Sequence, residues 1–279
     1  LPFSSKPYIF KDREYGERWI FSGTGRYLSQ EDNLTQQQQS FFGLKEPKNS
    51  DTGEWDYSDA VAMDDLMDTT FIESYEEGTI VEYGVAVDLS GRCGTSTNED
   101  SPDTGNVFED LKEYIRLECS GWKFDFFEQP EGSPRTENSG IRNIMEPVAS
   151  DTSLLIGAFE PEATQCSVSA TGFLYAPHRT VGVAAPYAAL GTDPARTRTG
   201  IDDPDVDQEM VIMGANIGPG IPSITDIAIK DGNSQSDGRD CGDKVALGQK
   251  STGEIVGIDI NCEPFPAGRR GWAEIPVTW

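Results

Sequence analysis

Short segments in which apolar and polar residues alternate constrain the fold of this 279-residue chain more than any other feature. The longest runs from Thr79 to Leu89, with an apolar side chain at every second position from Val81 onwards. Side chains of a strand point alternately to its two faces, so this pattern predicts one half-buried β-strand. Shorter segments with the same pattern lie at 122–126, 166–170, 256–262 and 273–279.

Turn-forming residues separate these segments. The chain contains 29 glycines and 17 prolines, and neither is periodic. Many short alternating segments between turns predict a mainly β protein, an antiparallel β-sandwich or jelly-roll-like fold with long loops. Pro276 lacks an amide donor, which places the predicted terminal strand 273–279 at a sheet edge.

One or two short helices are predicted at the periphery of this fold. Asn106 and Glu109 have the spacing of a capping box, and Phe108, Leu111 and Ile115 would line one helical face. A weaker pattern at 57–67 predicts a second helix, although its carboxylates repel one another.

The chain also suggests a division near residue 150. Residues 1–150 contain the helices and an extended N-terminal segment, whereas residues 151–279 read as nearly pure β and end in the edge strand. A single domain is the alternative, because all-β domains of this length are common.

Charge excludes several classes of partner. The chain carries 48 Asp and Glu against 22 Lys and Arg, a formal net charge of −26. A surface this acidic repels phosphate backbones and anionic headgroups, so we expect no nucleic-acid partner. No apolar run approaches the roughly 20 residues of a membrane-spanning helix, so we expect no membrane insertion either.

Catalytic motifs are missing from the sequence. It contains no GxSxG elbow, P-loop or HExxH pattern. The single histidine, His178, follows an apolar run and is interpreted as a structural hydrogen-bonding residue. The chain is therefore predicted not to be an enzyme, and no catalytic residue is assigned.

Two acidic loops are candidate calcium sites, because clustered oxygen ligands suit a hard cation. Asp203, Asp205 and Asp207 have the spacing of the first three ligands of an EF-hand. The resemblance ends at Gln208, where that loop requires glycine, and at Gly214, where it requires a bidentate glutamate. A looser calcium site or a solvated acidic loop are the two interpretations.

The loop 231–243 is the better calcium candidate, because its Asp and Asn side chains supply oxygen ligands and its glycines let the backbone fold around an ion. Its candidate ligands are Asp231, Asn233, Asp237, Asp240 and Asp243. The alternative is an exposed Asp-Gly turn.

Five cysteines are spread along the chain without a CxxC pair. Cys93 and Cys119 flank a loop and the predicted helix, and Cys241 and Cys262 flank a predicted strand, so each pair is a candidate disulfide. Separated cysteines such as Cys166 are also common as small buried residues. Asn33 heads the only glycosylation sequon, in a polar loop expected to be accessible.

Three functional classes fit these observations. The first is a structural subunit that assembles with copies of itself into a shell, sheath, fibre or capsid through β-edge and terminal-arm contacts. The alternative is an extracellular calcium-dependent binding or adhesion module, and a carboxylate hydrolase ranks third. Leu1 in place of an initiator methionine is interpreted as processing of an extracellular, cell-surface or virion protein, with simple trimming as the alternative.

Overall fold

The computed structural model describes residues 3–12, 15–48, 52–58, 60–94, 104–105, 107–126, 140–150, 152–162, 170–199, 207–229 and 244–261. The strands are β1 (Tyr8–Lys11), β2 (Arg18–Gly23), β3 (Ser40–Lys45), β4 (Met67–Asp68), β5 (Ile72–Ser74), β6 (Ile80–Glu82), β7 (Val87–Asp88), β8 (Thr104–Gly105), β9 (Gly121–Asp125), β10 (Val148–Ser150), β11 (Ser153–Pro161), β12 (Ala170–Tyr175), β13 (Thr192–Thr199), β14 (Asp207–Val211), β15 (Gly214–Pro219), β16 (Pro222–Ile229), β17 (Lys244–Lys250) and β18 (Ile255–Ile260). One α-helix, α1 (Phe108–Glu118), and 3-10 turns at Gln30–Leu34, Met63–Asp65 and Glu76–Gly78 complete the described elements.

Three sheets contain most of these strands. The first sheet has the order β1-β2-β3-β9-β4, the second β10-β11-β12-β15 and the third β16-β17-β18. The pairs β5-β6, β7-β8 and β13-β14 form small two-stranded sheets. Among the described strands, pairing is antiparallel except between β4 and β9. The mainly β, antiparallel, sandwich-like prediction is confirmed.

The second sheet is covered on both faces. Leu154 and Ile156 of β11 point into a core shared with the first sheet, here called the first core. Leu155, between them, joins a second core with Ile224 and Ala246 of the third sheet. A strand buried on both faces has a continuous apolar sequence rather than an alternating one. The fold is therefore a sandwich of three layers, with the second sheet in the middle.

Aromatic rings dominate the first core. Trp122 contacts the rings of Phe21, Phe41 and Phe124, with centroids about 6 Å apart. A Cβ atom at Gly43 would lie 2.4 Å from the Trp122 ring, so only glycine fits beneath it. The alternation at 122–126 thus produces a strand as predicted, β9, with its apolar face fully buried.

Helix α1 packs its predicted apolar face into the first core, but its cap was predicted wrongly. The N-cap is Val107, so Glu109 is the second helical residue rather than the third, which a capping box requires; Asn106 lies outside the described residues. Val107 forms an extended bridge with Thr79, so strand-like pairing fixes where the helix begins.

At the other end of α1, Cys119 is bonded to Cys93, which confirms one of the two candidate disulfides. Cys166, Cys241 and Cys262 lie outside the described residues. Lys45 donates to the main-chain oxygens of Ile115 and Arg116, at 3.0 and 2.8 Å, and so satisfies carbonyls that the helix end leaves open.

The prediction of one strand over Thr79–Leu89 is wrong. Residues 82–85 form a tight hairpin turn, in which Glu82 and Val85 exchange both main-chain hydrogen bonds. Tyr83 and Gly84 have φ of 52° and 80°, the two positive values of a type I′ turn. Tyr83 is 71% exposed. The sequence pattern does not reveal this turn, because Tyr83 continues the apolar alternation at a position where asparagine or glycine would be usual.

The second predicted helix, at 57–67, is also wrong. In the described part of this segment, 57–58 and 60–67, the helical structure is limited to the 3-10 turn Met63–Asp65, in which the Asp65 carboxylate accepts from the Ala62 amide. The chain then enters β4, where Met67 pairs with Trp122 and is fully buried. Tertiary burial of Met67 in an extended conformation prevails over the weak helical pattern.

Other predictions are only partly covered by the described residues. The pattern at 256–262 forms β18, which confirms the strand over its described portion. The segments 166–169 and 273–279 lie outside the described residues. The division near residue 150 stays a prediction, and the first core contains both Trp19 and Leu154. No helix in the described portion of the chain is long and apolar enough to cross a membrane.

Candidate functional site

The candidate calcium ligands are almost all outside the described residues. These are Asp203, Asp205, Asp231, Asn233, Asp237, Asp240 and Asp243. Asp207 is described, and it is the exposed first residue of β14. Among the residues that the structure describes, no three His, Cys, Asp or Glu side chains are grouped to hold a metal. Calcium binding by either loop stays a prediction.

An exposed row of aliphatic side chains crosses the first sheet on the face that points away from the core. Ile9 of β1 stands opposite Ile20 of β2, which stands opposite Leu44 of β3. Ile9 is 66% exposed, Ile20 is also exposed and Leu44 is half-buried. These three residues, here called the outer row, form a cross-strand apolar contact that does not contribute to the first core.

The outer row reaches the edge of its sheet. β1 is the terminal strand in the order of the first sheet, and no other described strand pairs with its outer side. The edge is four residues long, with Lys6 and Pro7 before it and Lys11 at its end. Short length, lysine and proline are features that discourage further strand pairing. Side chains on the face therefore offer a better contact than the backbone of the edge.

The region around the outer row differs in charge from the whole chain. Lys11, Arg18 and Glu46 each lie two residues along the chain from a member of the outer row and so share its face, and Arg18 pairs with Glu46. The net charge of these three residues is +1, in a chain whose net charge is −26. This region is electrostatically suited to contact an acidic surface.

The third sheet has an exposed apolar patch on its own outer face. Val245, Leu247 and Ile255, here called the third-sheet patch, point away from the second core, which takes the alternate residues Ala246 and Ile258. A Cβ at Gly257 would contact both Val245 and Leu247, which places the two side chains on one face. Ile255 is 79% exposed.

The charges around the third-sheet patch are mainly negative at the surface. Asp226, Glu254 and Asp259 are exposed. Lys244 is half-buried and Lys250 is buried, where it pairs with Glu254 at 2.9 Å. The patch is therefore an apolar surface with an acidic rim.

A cleft of about 220 Å³ lies beside α1, between the β1–β2 connection and residues 178–180. Its carboxylates are Asp12, Glu17, Glu109, Asp110 and Glu113. Its cations are Lys112, Arg116 and Arg179. Lys112 pairs with Glu109 at 3.1 Å and Arg116 pairs with Glu113 at 3.2 Å, so opposite charges are interspersed along one wall.

His178 lies buried at this cleft. The Thr180 amide donates to its Nδ1 at 3.3 Å, so a neutral His178 carries its proton on Nε2. Burial lowers the pKa of His178 to about 3, and the nearby Lys112 and Arg179 contribute to the same shift. The ring meets Phe108 edge-on with centroids 5.2 Å apart. His178 thus stays uncharged at neutral pH and links α1 to the 178–182 turn.

The Asn33 side chain is only 8% exposed, which corrects the expected accessibility of the glycosylation sequon. It lies in the Gln30–Leu34 turn, which the Asp32 carboxylate closes by accepting from the amides of Leu28 and Ser29. Those amide hydrogen bonds, with the Arg26 charge, keep the pKa of Asp32 below its usual value in spite of the opposing effect of desolvation. A glycan on Asn33 requires this turn to open.

Sequence reasoning missed the residue that fixes this turn. Arg142 is fully buried, and its guanidinium donates to the main-chain oxygens of Gly140, Arg26, Asp32 and Thr35 at 2.5–3.0 Å. Burial lowers the pKa of Arg142, an effect that the Asp32 charge opposes. No local pattern marks an arginine with three of its four partners more than 100 residues away.

Comparison with known proteins identifies no family. No family model matches the chain, and no curated protein matches it. Among solved structures, the chain is similar to the crystal structure of the Pseudomonas aeruginosa PilY1 C-terminal domain, with 15% identity and a TM-score of 0.49. The match covers 95% of this chain and 45% of that chain, so this chain spans less than half of its length.

Proposed function

We propose that this chain is a structural subunit that assembles with copies of itself outside the cell or in a virion. The observation that carries the proposal is the outer row, an exposed apolar contact in a net cationic region of a strongly acidic chain. Exposed apolar clusters of this kind are typical of sites where proteins associate. The proposal assigns no catalytic activity to the chain.

The disulfide supports an extracellular location. Cys93 and Cys119 are joined inside the first core, and such bonds persist in oxidising compartments. The net charge of −26 keeps the free subunit soluble, because copies repel one another until salt screens them. Assembly is therefore expected to depend on ionic strength.

The outer row alone is too small to hold an assembly together. Complete burial of an isoleucine side chain contributes about 1.5–3 kcal/mol, and Ile9 and Ile20 are already partly buried. A stable interface removes about 1,200–2,000 Å² from water. Neighbouring residues, including the N-terminal arm with the exposed Phe3, have to contribute the rest.

Electron microscopy of the purified protein tests this proposal directly. The wild type is imaged by negative stain in low salt, at about 0.15 M salt and with calcium added, beside an Ile9→Asp/Ile20→Asp variant. We expect regular shells, sheaths or fibres from the wild type and dispersed particles from the variant. Leu28→Asp, at another exposed apolar side chain, is the matched control and should assemble normally. Dispersed wild-type particles under all conditions would contradict the proposal.

A second candidate function, a binding module, is favoured by the cleft beside α1. Its interspersed charges suit a neutral ligand with many hydroxyl groups, because each hydroxyl both donates and accepts hydrogen bonds. A bound sugar would raise the melting temperature. Thermal shift with maltotriose and chitotriose, with and without calcium, tests this function, and the Arg116→Gln variant should lose any shift.

A further inference from the structure

We infer that copies of this chain associate head to tail, with the outer row of one copy packed on the third-sheet patch of the next. This inference rests on the proposed function and specifies the contact that assembly uses. Three observations carry it, and they concern the direction, the composition and the charge of the two surfaces.

The two surfaces lie on opposite sides of the molecule. The second sheet is between the first and third sheets, and each of its faces is covered by one of them. The outer row is on the far face of the first sheet, and the third-sheet patch is on the far face of the third. In a dimer formed by this contact, an outer row stays free at one end and a third-sheet patch stays free at the other.

The two surfaces are alike in composition and in the kind of element that carries them. Each is a sheet face carrying three aliphatic side chains, Ile9, Ile20 and Leu44 on one and Val245, Leu247 and Ile255 on the other. Packing them together adds a sheet-on-sheet layer of the kind already present between the second and third sheets, at a spacing of about 10 Å. The assembly would repeat an interface that the chain already forms internally.

Charge distinguishes this pairing from a symmetric one. Lys11, Arg18 and Glu46 beside the outer row have a net charge of +1. Asp226, Glu254 and Asp259 are exposed around the third-sheet patch, and Glu254 pairs there with Lys250. Two identical faces would place like charges opposite one another, and the head-to-tail contact pairs unlike charges. A contact between two different surfaces does not close on itself in a dimer, so it produces a ring or an open filament.

Two variants that each remove one surface test the inference. Ile9→Asp/Ile20→Asp removes the outer row and leaves the third-sheet patch, and Ile255→Lys removes the patch and leaves the row. We expect each variant alone to sediment as a monomer in analytical ultracentrifugation. Mixed in equal amounts, the two variants should form dimers and no larger species. The intact outer row of Ile255→Lys would pack on the intact third-sheet patch of the double variant, and no second intact pair of surfaces would be left. Leu28→Asp is again the control, expected to polymerise like the wild type.

The outcomes separate this inference from the proposed function. If Ile255→Lys polymerises alone as the wild type does, the inference is overturned and the proposed function survives. If the wild type does not polymerise, both fail. Ile255 is too exposed for its replacement to threaten folding, and circular dichroism verifies the fold of both variants. If the double variant does not fold, Ile9→Asp alone, also at an exposed position, replaces it in the mixture.

Discussion

The two faces of the second sheet are stabilised in different ways. The first core combines aromatic rings, a helix and a disulfide, and Trp122 and Phe124 are completely buried in it. The second core is smaller and mainly aliphatic, with Leu155, Leu174, Ile224 and Ile260 as its largest buried side chains. Both cores share the strands β11 and β12, so neither can lose its packing without exposing one face of the same sheet. We therefore expect substitutions in the first core to lower the free energy of unfolding more than those in the second core, and both cores to unfold in one transition.

The largest expected effect is the loss of Trp122. Trp122→Ala should lower the free energy of unfolding by about 3–5 kcal/mol, because its ring contacts and the hydrogen bond to Arg179 O, 2.9 Å long, are lost together. Ile224→Ala in the second core should cost about 2 kcal/mol. Urea denaturation measures both, and each variant should retain a single transition. Two separate transitions would contradict shared unfolding, because they would show that the cores unfold independently.

Removal of the disulfide should affect the first core next most strongly. Cys93 and Cys119 are 26 residues apart, so the double replacement by alanine should lower the free energy of unfolding by about 3 kcal/mol. Reductant should destabilise the wild type by a similar amount. The double variant is the control, since its response to reductant reports only on the remaining cysteines.

Acid should weaken the first core through His178. Its pKa in the folded protein is about 3 and its ordinary value is 6.5, so the unfolded chain takes up the proton first. Stability from this residue is complete above pH 6.5 and falls by about 1.4 kcal/mol per pH unit as the pH decreases towards 3. Urea denaturation at a series of pH values measures this effect. The free energies of unfolding of the wild type and of His178→Gln should approach one another as the pH falls from 7 to 5. A constant difference between the two free energies would contradict this prediction, because it would show that His178 is protonated as readily in the folded protein as in the unfolded chain.

The smallest expected effect concerns Lys45 at the end of α1. Burial lowers its pKa to about 8, so the folded state loses the proton before the unfolded chain, whose lysines titrate near 10.5. The contribution of Lys45 to stability should therefore increase as the pH rises from 8 to 10.5. Lys45→Met should remove this increase and cost about 1 kcal/mol at neutral pH. Lys48→Met, at an exposed lysine nearby, is the control for both measurements.

Alternation predicted strands well where each strand has one buried and one more exposed face. The patterns at 122–126 and 256–260 became β9 and β18 for this reason. The pattern at 79–89 failed because the turn at Tyr83 does not disturb the alternation. The layer order was beyond the sequence, since only the structure shows which core each face of β11 joins.

The candidate surfaces were less predictable than the fold. The outer row consists of one residue from each of three strands, and its existence depends on cross-strand register rather than on any local motif. The third-sheet patch follows partly from the alternation in β18, where Ile255 lies exposed. The loops that the sequence marked for calcium lie outside the described residues, apart from Asp207. The sequence therefore predicted the fold class, whereas both candidate surfaces required the cross-strand register that only the structure provides.

The four hydrogen bonds of Arg142 also determine when, during synthesis of the chain, the turn at 30–34 can fold. The Thr35 carbonyl accepts from Arg142, which is synthesised 107 residues later. At about 5–20 residues per second, this delay is on the order of ten seconds. During that interval the turn around Asp32 has no guanidinium to organise it. The turn can therefore reach its final hydrogen-bonded form only after residue 142 has been synthesised, so we expect it to fold late in synthesis although it lies near the start of the chain.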